Sequence, residues 1–300
     1  DLYKECMAYV GGIETFANAT NERTFPLYLF FNKTLKAPFI IQSSNETINT
    51  SGIDINALFD FLNSAHAKDD FTFTITESNV GVITYNRCNG LNAFEKFLKK
   101  TFKEISEKGI DKLIIDIREN GGGDSELNDR LLDYITKNSY QQSSGRYWKV
   151  SAQAKKAYSA NKVYTRMFGE EFMNNYMSTP NGEIIESPYQ ELIEPTTPKY
   201  YFEGKTCFLI GPHTFSSANF LADAVKTYNL STLIGTATGE YTNDFGEQLN
   251  FTLPNSGCTV FISSTYDIGA NGNKKELQPV HPDIIVKDDV LSYALEWIVE

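Results

Sequence analysis

Ser216 and a run of three glycines at 121–123 are the residues whose types and spacing could do chemistry together. Ser216 stands in Thr214-Phe215-Ser216-Ser217-Ala218-Asn219. An apolar run, TCFLIG at 206–211, precedes it, and ANFLADAVKTY follows. These read as a buried strand and a helix. A serine at such a turn aims its hydroxyl outward near a helix N-terminus, where a nucleophile sits. A serine that only caps the helix occupies the same place. Spacing leaves both open.

The glycines lie in Asp116-Ile117-Arg118-Glu119-Asn120-Gly121-Gly122-Gly123-Asp124, after the apolar run at 112–117. Glycines leave backbone N–H groups uncovered and reach conformations closed to other residues. Amides so placed at the start of a helix suit an anion or a reaction oxyanion. A tight turn with no ligand is the plainer alternative. Neither a P-loop nor a G-x-G-x-x-G dinucleotide turn is present. In a parallel α/β sheet, both turns would lie beyond strand C-termini, where ligands bind.

The elements that must position these turns follow from hydropathy. Segments 71–75 and 80–85 alternate as two strands joined at Ser78-Asn79. A helix with Phe94, Phe97, Leu98, Phe102 and Ile105 on one face comes next. Asn92 is placed to cap it, with Glu95 three residues on, and Gly109 to stop it. Leu127, Leu131, Leu132 and Ile135 mark a helix after the glycines. Further strands are expected at 231–235, 249–253, 259–263 and 284–286, with a last helix from about Asp289. Strand, helix and strand at this spacing give βαβ units and an α/β fold with a partly parallel sheet. Residues 1–70 read as a small mixed segment with one strand candidate at 26–31. Residues 71–300 read as the core, with an insertion at 138–205. That insertion has helical stretches near 152–164 and 170–177, and is either a lid or a peripheral addition.

Composition bounds the function. The chain has 300 residues, with 41% hydrophobic and 22% charged, enough for a substantial core. A formal charge of −11 argues against nucleic-acid partners and anionic lipid. No run approaches the roughly 20 apolar residues of a membrane helix. Cys6, Cys88, Cys207 and Cys258 form no C-x-x-C pair, so no metal site is expected. All but Cys88 lie in apolar contexts and read as buried thiols, with one or two disulfides left open. The first residues show no basic stretch followed by an apolar one, so no signal peptide is visible. The N-x-S/T sequons, at Asn18, Asn32, Asn45, Asn49, Asn229 and Asn250, are expected by chance in a chain rich in Asn and Thr.

DIRENGGGD, PHTFSSANFLADAVK, LIGTATGEYTNDFGE, FTLPNSG and PVHPDIIV occur in that order. In that order they resemble the tail-specific, or C-terminal-processing, serine peptidase family over roughly residues 71–300. The resemblance implies a crotonase-like and Clp-protease-like superhelix of ββα units. It implies Ser216 as nucleophile, and an oxyanion hole from Gly122 and Gly123 with the amide of Ser217. A peptide or protein substrate, no cofactor and an exported or cell-surface setting follow from the same source. In much of the family a lysine base follows the nucleophile by 25 residues. Here that position is Tyr241, preceded by Glu240 where glycine is usual. A phenol titrating near about 10 is a poor base at neutral pH.

A branch typified by the tricorn core protease lacks the lysine and uses a His and a Glu. Glu276, in Glu276-Leu277-Gln278-Pro279-Val280-His281-Pro282-Asp283, falls at that glutamate's place. A solvated loop carboxylate is the alternative. In that branch the His precedes a PDZ-type domain, and residues 1–70 read as the remnant of its junction. Among the three histidines, His213 is the candidate near Ser216, whereas His66 and His281 read as structural. Three functions follow: a serine peptidase, a peptide-binding relative without turnover, and a crotonase-type acyl-CoA enzyme.

Overall fold

The computed structural model describes residues 38–42, 47–51, 69–160, 164–165, 168–187 and 192–300. The strand candidate at 26–31, His66, Cys6 and three of the sequon asparagines (Asn18, Asn32 and Asn45) lie outside the described residues. Strands β1 (Phe39–Gln42) and β2 (Thr47–Thr50) form an antiparallel pair.

A six-stranded sheet carries the functional turns. Its members are β3 (Phe71–Ile75), β4 (Gly81–Tyr85), β5 (Lys112–Asp116), β8 (Lys205–Ile210), β9 (Thr232–Gly235) and β12 (Ile284–Ile285). Their order is β12-β9-β8-β5-β4-β3. Only β3 and β4 run antiparallel; every other neighbour is parallel. The central strands are unbroken apolar runs because both faces are covered. Phe208 and Ile210 of β8 pack with α1 (Leu91–Glu107), α2 (Glu126–Leu132) and α5 (Ser217–Thr227), through Phe94, Leu98, Leu131, Leu221 and Val225. Cys207 and Leu209 face α6 (Val290–Val299), through Val290, Ala294 and Ile298. The period-two alternation of strand side chains sorts them to the two faces.

Two helix details differ from expectation. Helix α1 begins at Leu91, with Gly90 (φ 73) before it and no side-chain cap. Asn92 therefore sits inside the first turn. Leu91 packs on the core, and the start lies two residues earlier than a cap at Asn92 would put it. Helix α2 ends at Leu132, and Ile135 reaches the same core from the following turn. Gly109 ends α1 as expected, at φ 62, with Ile110 N–H donating to Ile105 C=O.

The second sheet has order β10-β11-β6-β7, all antiparallel. Strands β10 (Asp244–Thr252) and β11 (Thr259–Gly269) are longer than the apolar pattern implied. Most of their extra residues are polar, and an arginine ties the two strands to a third. Arg146 on β6 (Ser143–Lys149) pairs with Asp267 of β11 and, at 3.2 Å, with Glu247 of β10. Much of the 138–205 stretch belongs to this sheet. It contributes β6, α3 (Ala152–Ala160), α4 (Glu170–Ser178) and β7 (Ile184–Glu186). Trp148, Tyr158, Met173 and Tyr176 bury together with Leu249 of β10 as a separate core.

Candidate active site

Strands β5 and β8 are parallel neighbours, so the glycine turn and the serine turn emerge side by side at their C-terminal ends. Backbone bonds stitch the turns together. Ile117 N–H donates to Leu209 C=O, and Phe215 N–H donates to Asn120 C=O, both at 3.0 Å. Thr214 Oγ1, fully buried, donates to Ile117 C=O at 2.9 Å and accepts from Gly211 N–H at 3.1 Å.

Ser216 occupies φ 53, ψ −127, a region that side-chain-bearing residues rarely adopt. It directly precedes α5, yet its side chain makes no capping bond. The capping reading of this serine is thereby overturned. Ser216 Oγ has no hydrogen-bond partner among the described residues.

Gly122 packs against this serine. At φ 93, a Cβ on it would lie 2.6 Å from Ser216 Cβ and 2.9 Å from Ser217 N. The Gly122 N–H, expected to face an oxyanion, donates instead to Asn120 Oδ1 at 2.9 Å. That is a correction: the asparagine side chain folds back as an Asx-type turn and occupies the amide. The N–H groups of Gly123 and Ser217 donate to no such partner among the described residues. Gly123, at φ 135, is exposed; its carbonyl accepts from Ser217 Oγ at 2.5 Å. A Cβ there would stand 2.1 Å from Cys88 O.

Beneath the turns lies a buried polar layer absent from the sequence reading. Asn128 Nδ2 donates to Ser217 C=O and to Gln142 Oε1, both at 2.8 Å. Its Oδ1 accepts from Tyr85 Oη at 3.2 Å. Cys88 Sγ lies 3.6 Å from both Asn120 Oδ1 and Asn128 Oδ1. Burial pushes the Cys88 thiol up to about 11, so it stays a weak donor and no thiolate. Asn120 and Asn128 are fully buried. A buried amide inside a glycine turn was the available signal for the first. Nothing in the spacing marked the second.

The other expected site residues are placed as follows. His213 Nδ1 lies 3.3 Å from both carboxylate oxygens of Glu119 on the glycine turn. Tyr241 bridges to Pro279, and its carbonyl accepts from Asn219 Nδ2 at 2.8 Å. Glu276 gives its carboxylate to Asn271 Nδ2 and its carbonyl to Asn243 Nδ2. His281 is exposed. Glu240, the residue before Tyr241, meets Ser216 itself. Gly239 N–H donates to Thr214 C=O at 3.2 Å and brings the next residue in. A Glu240 carboxyl oxygen then accepts the Ser216 N–H. Burial first, and then the neighbouring Asp244, hold the Glu240 carboxyl far above the usual carboxylate range. The Pro-Asp motif serves the scaffold: Asp283 accepts from Leu233 N–H at 2.8 Å and pairs with Lys226.

Among the described residues, no group of His, Cys, Asp and Glu could hold a metal ion. No helix there is long and apolar enough to cross a membrane. Cys88 and Cys207 are free and buried, whereas Cys258 is free and exposed. The exposure of Cys258 corrects its reading as a core thiol; it follows the end of β10, where the hairpin leaves the core.

Fold and site define an α/β protein with a strained serine packed against a glycine turn. The model of the peptidase family S41 matches residues 79–286. The chain belongs to that family. No curated protein matches it. Among solved structures, mature CPAF complexed with lactacystin is similar at 17% identity, over 76% of this chain and 52% of that one, with a TM-score of 0.51. A CPAF mutant is similar at 16% identity, over 76% and 51%, with a TM-score of 0.53. A photosystem II D1 C-terminal processing protease is similar at 16% identity, over 77% and 51%, with a TM-score of 0.43. The chain thus spans about half the length of these three proteins.

Proposed function

We propose that the chain is a serine-type peptidase that cleaves peptide bonds through Ser216. The observation that carries this reading is Ser216 itself, held in a strained conformation with its hydroxyl uncommitted, against a glycine that no other residue could replace. Oγ attacks the carbonyl carbon of the scissile bond, and the carbonyl oxygen takes the negative charge. The amides of Gly123 and Ser217 donate to that oxyanion. The proton from Oγ passes through a base to the departing amine, and water then releases the acyl group from Ser216. Polarity of the turns suits a peptide: Asn120, Asn128 and Gln142 supply buried amides under the site, while its mouth stays open at Gly121 and Gly123.

A second reading is a relative that binds peptides without turnover. It is favoured by one observation: the Tyr241 backbone is bonded to Asn219 and the Glu276 carboxylate to Asn271, so neither is engaged with the Ser216 hydroxyl. Reaction with a fluorophosphonate separates the two. Covalent labelling mapped to Ser216, together with turnover of an unstructured protein, supports the peptidase. Peptide binding without labelling supports the second reading.

A further inference from the structure

The geometry points to Glu240 as a positioning residue: its buried carboxyl group takes the Ser216 N–H and holds the nucleophile's backbone in its strained conformation. This rests on the reading of Ser216 as nucleophile. The support is geometric. Glu240 is only 6% exposed, and its carboxyl accepts the amide of the one residue in the turn with an unfavourable backbone. The turn carrying Glu240 is itself tied down. Gly239 N–H bonds Thr214 C=O, and Thr238 bonds Val280 in both directions, through Thr238 N–H and through Val280 N–H to Thr238 Oγ1. The carboxyl therefore reaches Ser216 from a fixed platform.

Protonation explains how two acids tolerate each other there. Burial and the neighbouring Asp244 carboxylate favour a protonated Glu240. The other charge acting on Glu240 is Asp267 on β11, which pairs with Arg146 of β6, an arginine that also holds Glu247 of β10. The nearby carboxylates Asp244 and Asp267 favour keeping Glu240 neutral. One oxygen of the neutral acid accepts from Ser216 N–H. A neutral acid is a poor base, which separates this role from proton abstraction. It also removes the Ser216 amide from the oxyanion donors, leaving those of Gly123 and Ser217.

Glu240→Gln reproduces the neutral acid and keeps a carbonyl oxygen for Ser216. Glu240→Ala removes it. The test follows fluorophosphonate labelling from neutral to alkaline pH, and the Ser216 amide resonance in the 1H–15N spectrum. Expected are labelling and a downfield amide that survive in Glu240→Gln, and about tenfold or slower labelling with an upfield amide in Glu240→Ala. Labelling of the parent should fall in alkali as the Glu240 proton leaves, and Glu240→Gln should lack that fall. Wild-type labelling with an unmoved amide in Glu240→Ala overturns the assignment. So does loss of the downfield amide in Glu240→Gln, which decides the matter alone if Glu240→Ala fails to fold. A parent chain that never labels sinks the peptidase reading, while the amide resonance still judges Glu240.

Discussion

Gly122 and Ser216 meet so closely that one methyl group separates a working turn from a blocked one. A Cβ at 122 would lie 2.6 Å from Ser216 Cβ and 2.9 Å from Phe215 O, at a φ of 93 that side chains resist. Gly121, one residue away, has open space around it. Gly122→Ala should therefore lose fluorophosphonate labelling by about 100-fold or more, and should melt earlier. Gly121→Ala should change stability by no more than about 0.5 kcal/mol and leave labelling intact. Equal behaviour of the two variants would mean that the contact does not matter.

Substitution of the nucleophile separates strain from chemistry. Ser216 caps nothing, so Ser216→Ala should abolish labelling without the stability loss of a broken cap. Ser216→Gly should abolish labelling and raise stability by about 1 kcal/mol, because glycine tolerates the positive φ of 53. Differential scanning calorimetry reads both. A destabilised Ser216→Gly would show that the serine side chain holds the turn.

Grafting the family's lysine tests the dependence of Ser216 on its neighbour. Tyr241→Lys leaves the Glu240 carboxyl on the Ser216 amide, whereas Glu240→Gly/Tyr241→Lys removes it. Labelling of the double variant should be about tenfold slower than that of the single one. A faster double variant would show that a glycine and lysine suffice in this turn.

Asp223 should tilt stability with pH. It is buried on α5 and accepts from Ala270 N–H at 2.6 Å, and burial raises it from 3.8 to about 6. Between those values the folded chain keeps a proton that the unfolded chain has lost. Its contribution is thus full in acid and disappears as pH rises to about 6. Asp223→Asn keeps an acceptor and cannot ionise. Its stability relative to the parent should improve by about 1–3 kcal/mol from pH 4 to pH 7. Chemical denaturation at the two pH values measures it, and a constant difference would refute the buried acid.

Thiol reactivity should follow burial. Burial pushes Cys207 up to about 12 and Cys88 up to about 11, and both are buried. Exposed Cys258 should be alkylated in the native state well before either of them, as peptide mapping would show. Rapid native modification of Cys88 would mean that the floor of the serine turn opens.

The sequence by itself determined the parts that short-range physics controls. Apolar runs at 112–117 and 206–211 read as buried strands of a partly parallel sheet with their turns at strand C-termini, and the fold makes them parallel neighbours. Ser216 and the glycines were legible because their neighbours in the chain define the turn. The tertiary structure decided which groups meet across it. Glu240 stands 24 residues beyond Ser216 and Asn128 lies 89 before Ser217, yet each bonds its partner directly. Those contacts depend on how the β9–β10 turn and helix α2 fold over the serine turn, which no local pattern encodes. The same holds for the occupied Gly122 amide. The sequence shows that an amide is present, but only the fold shows that Asn120 has taken it.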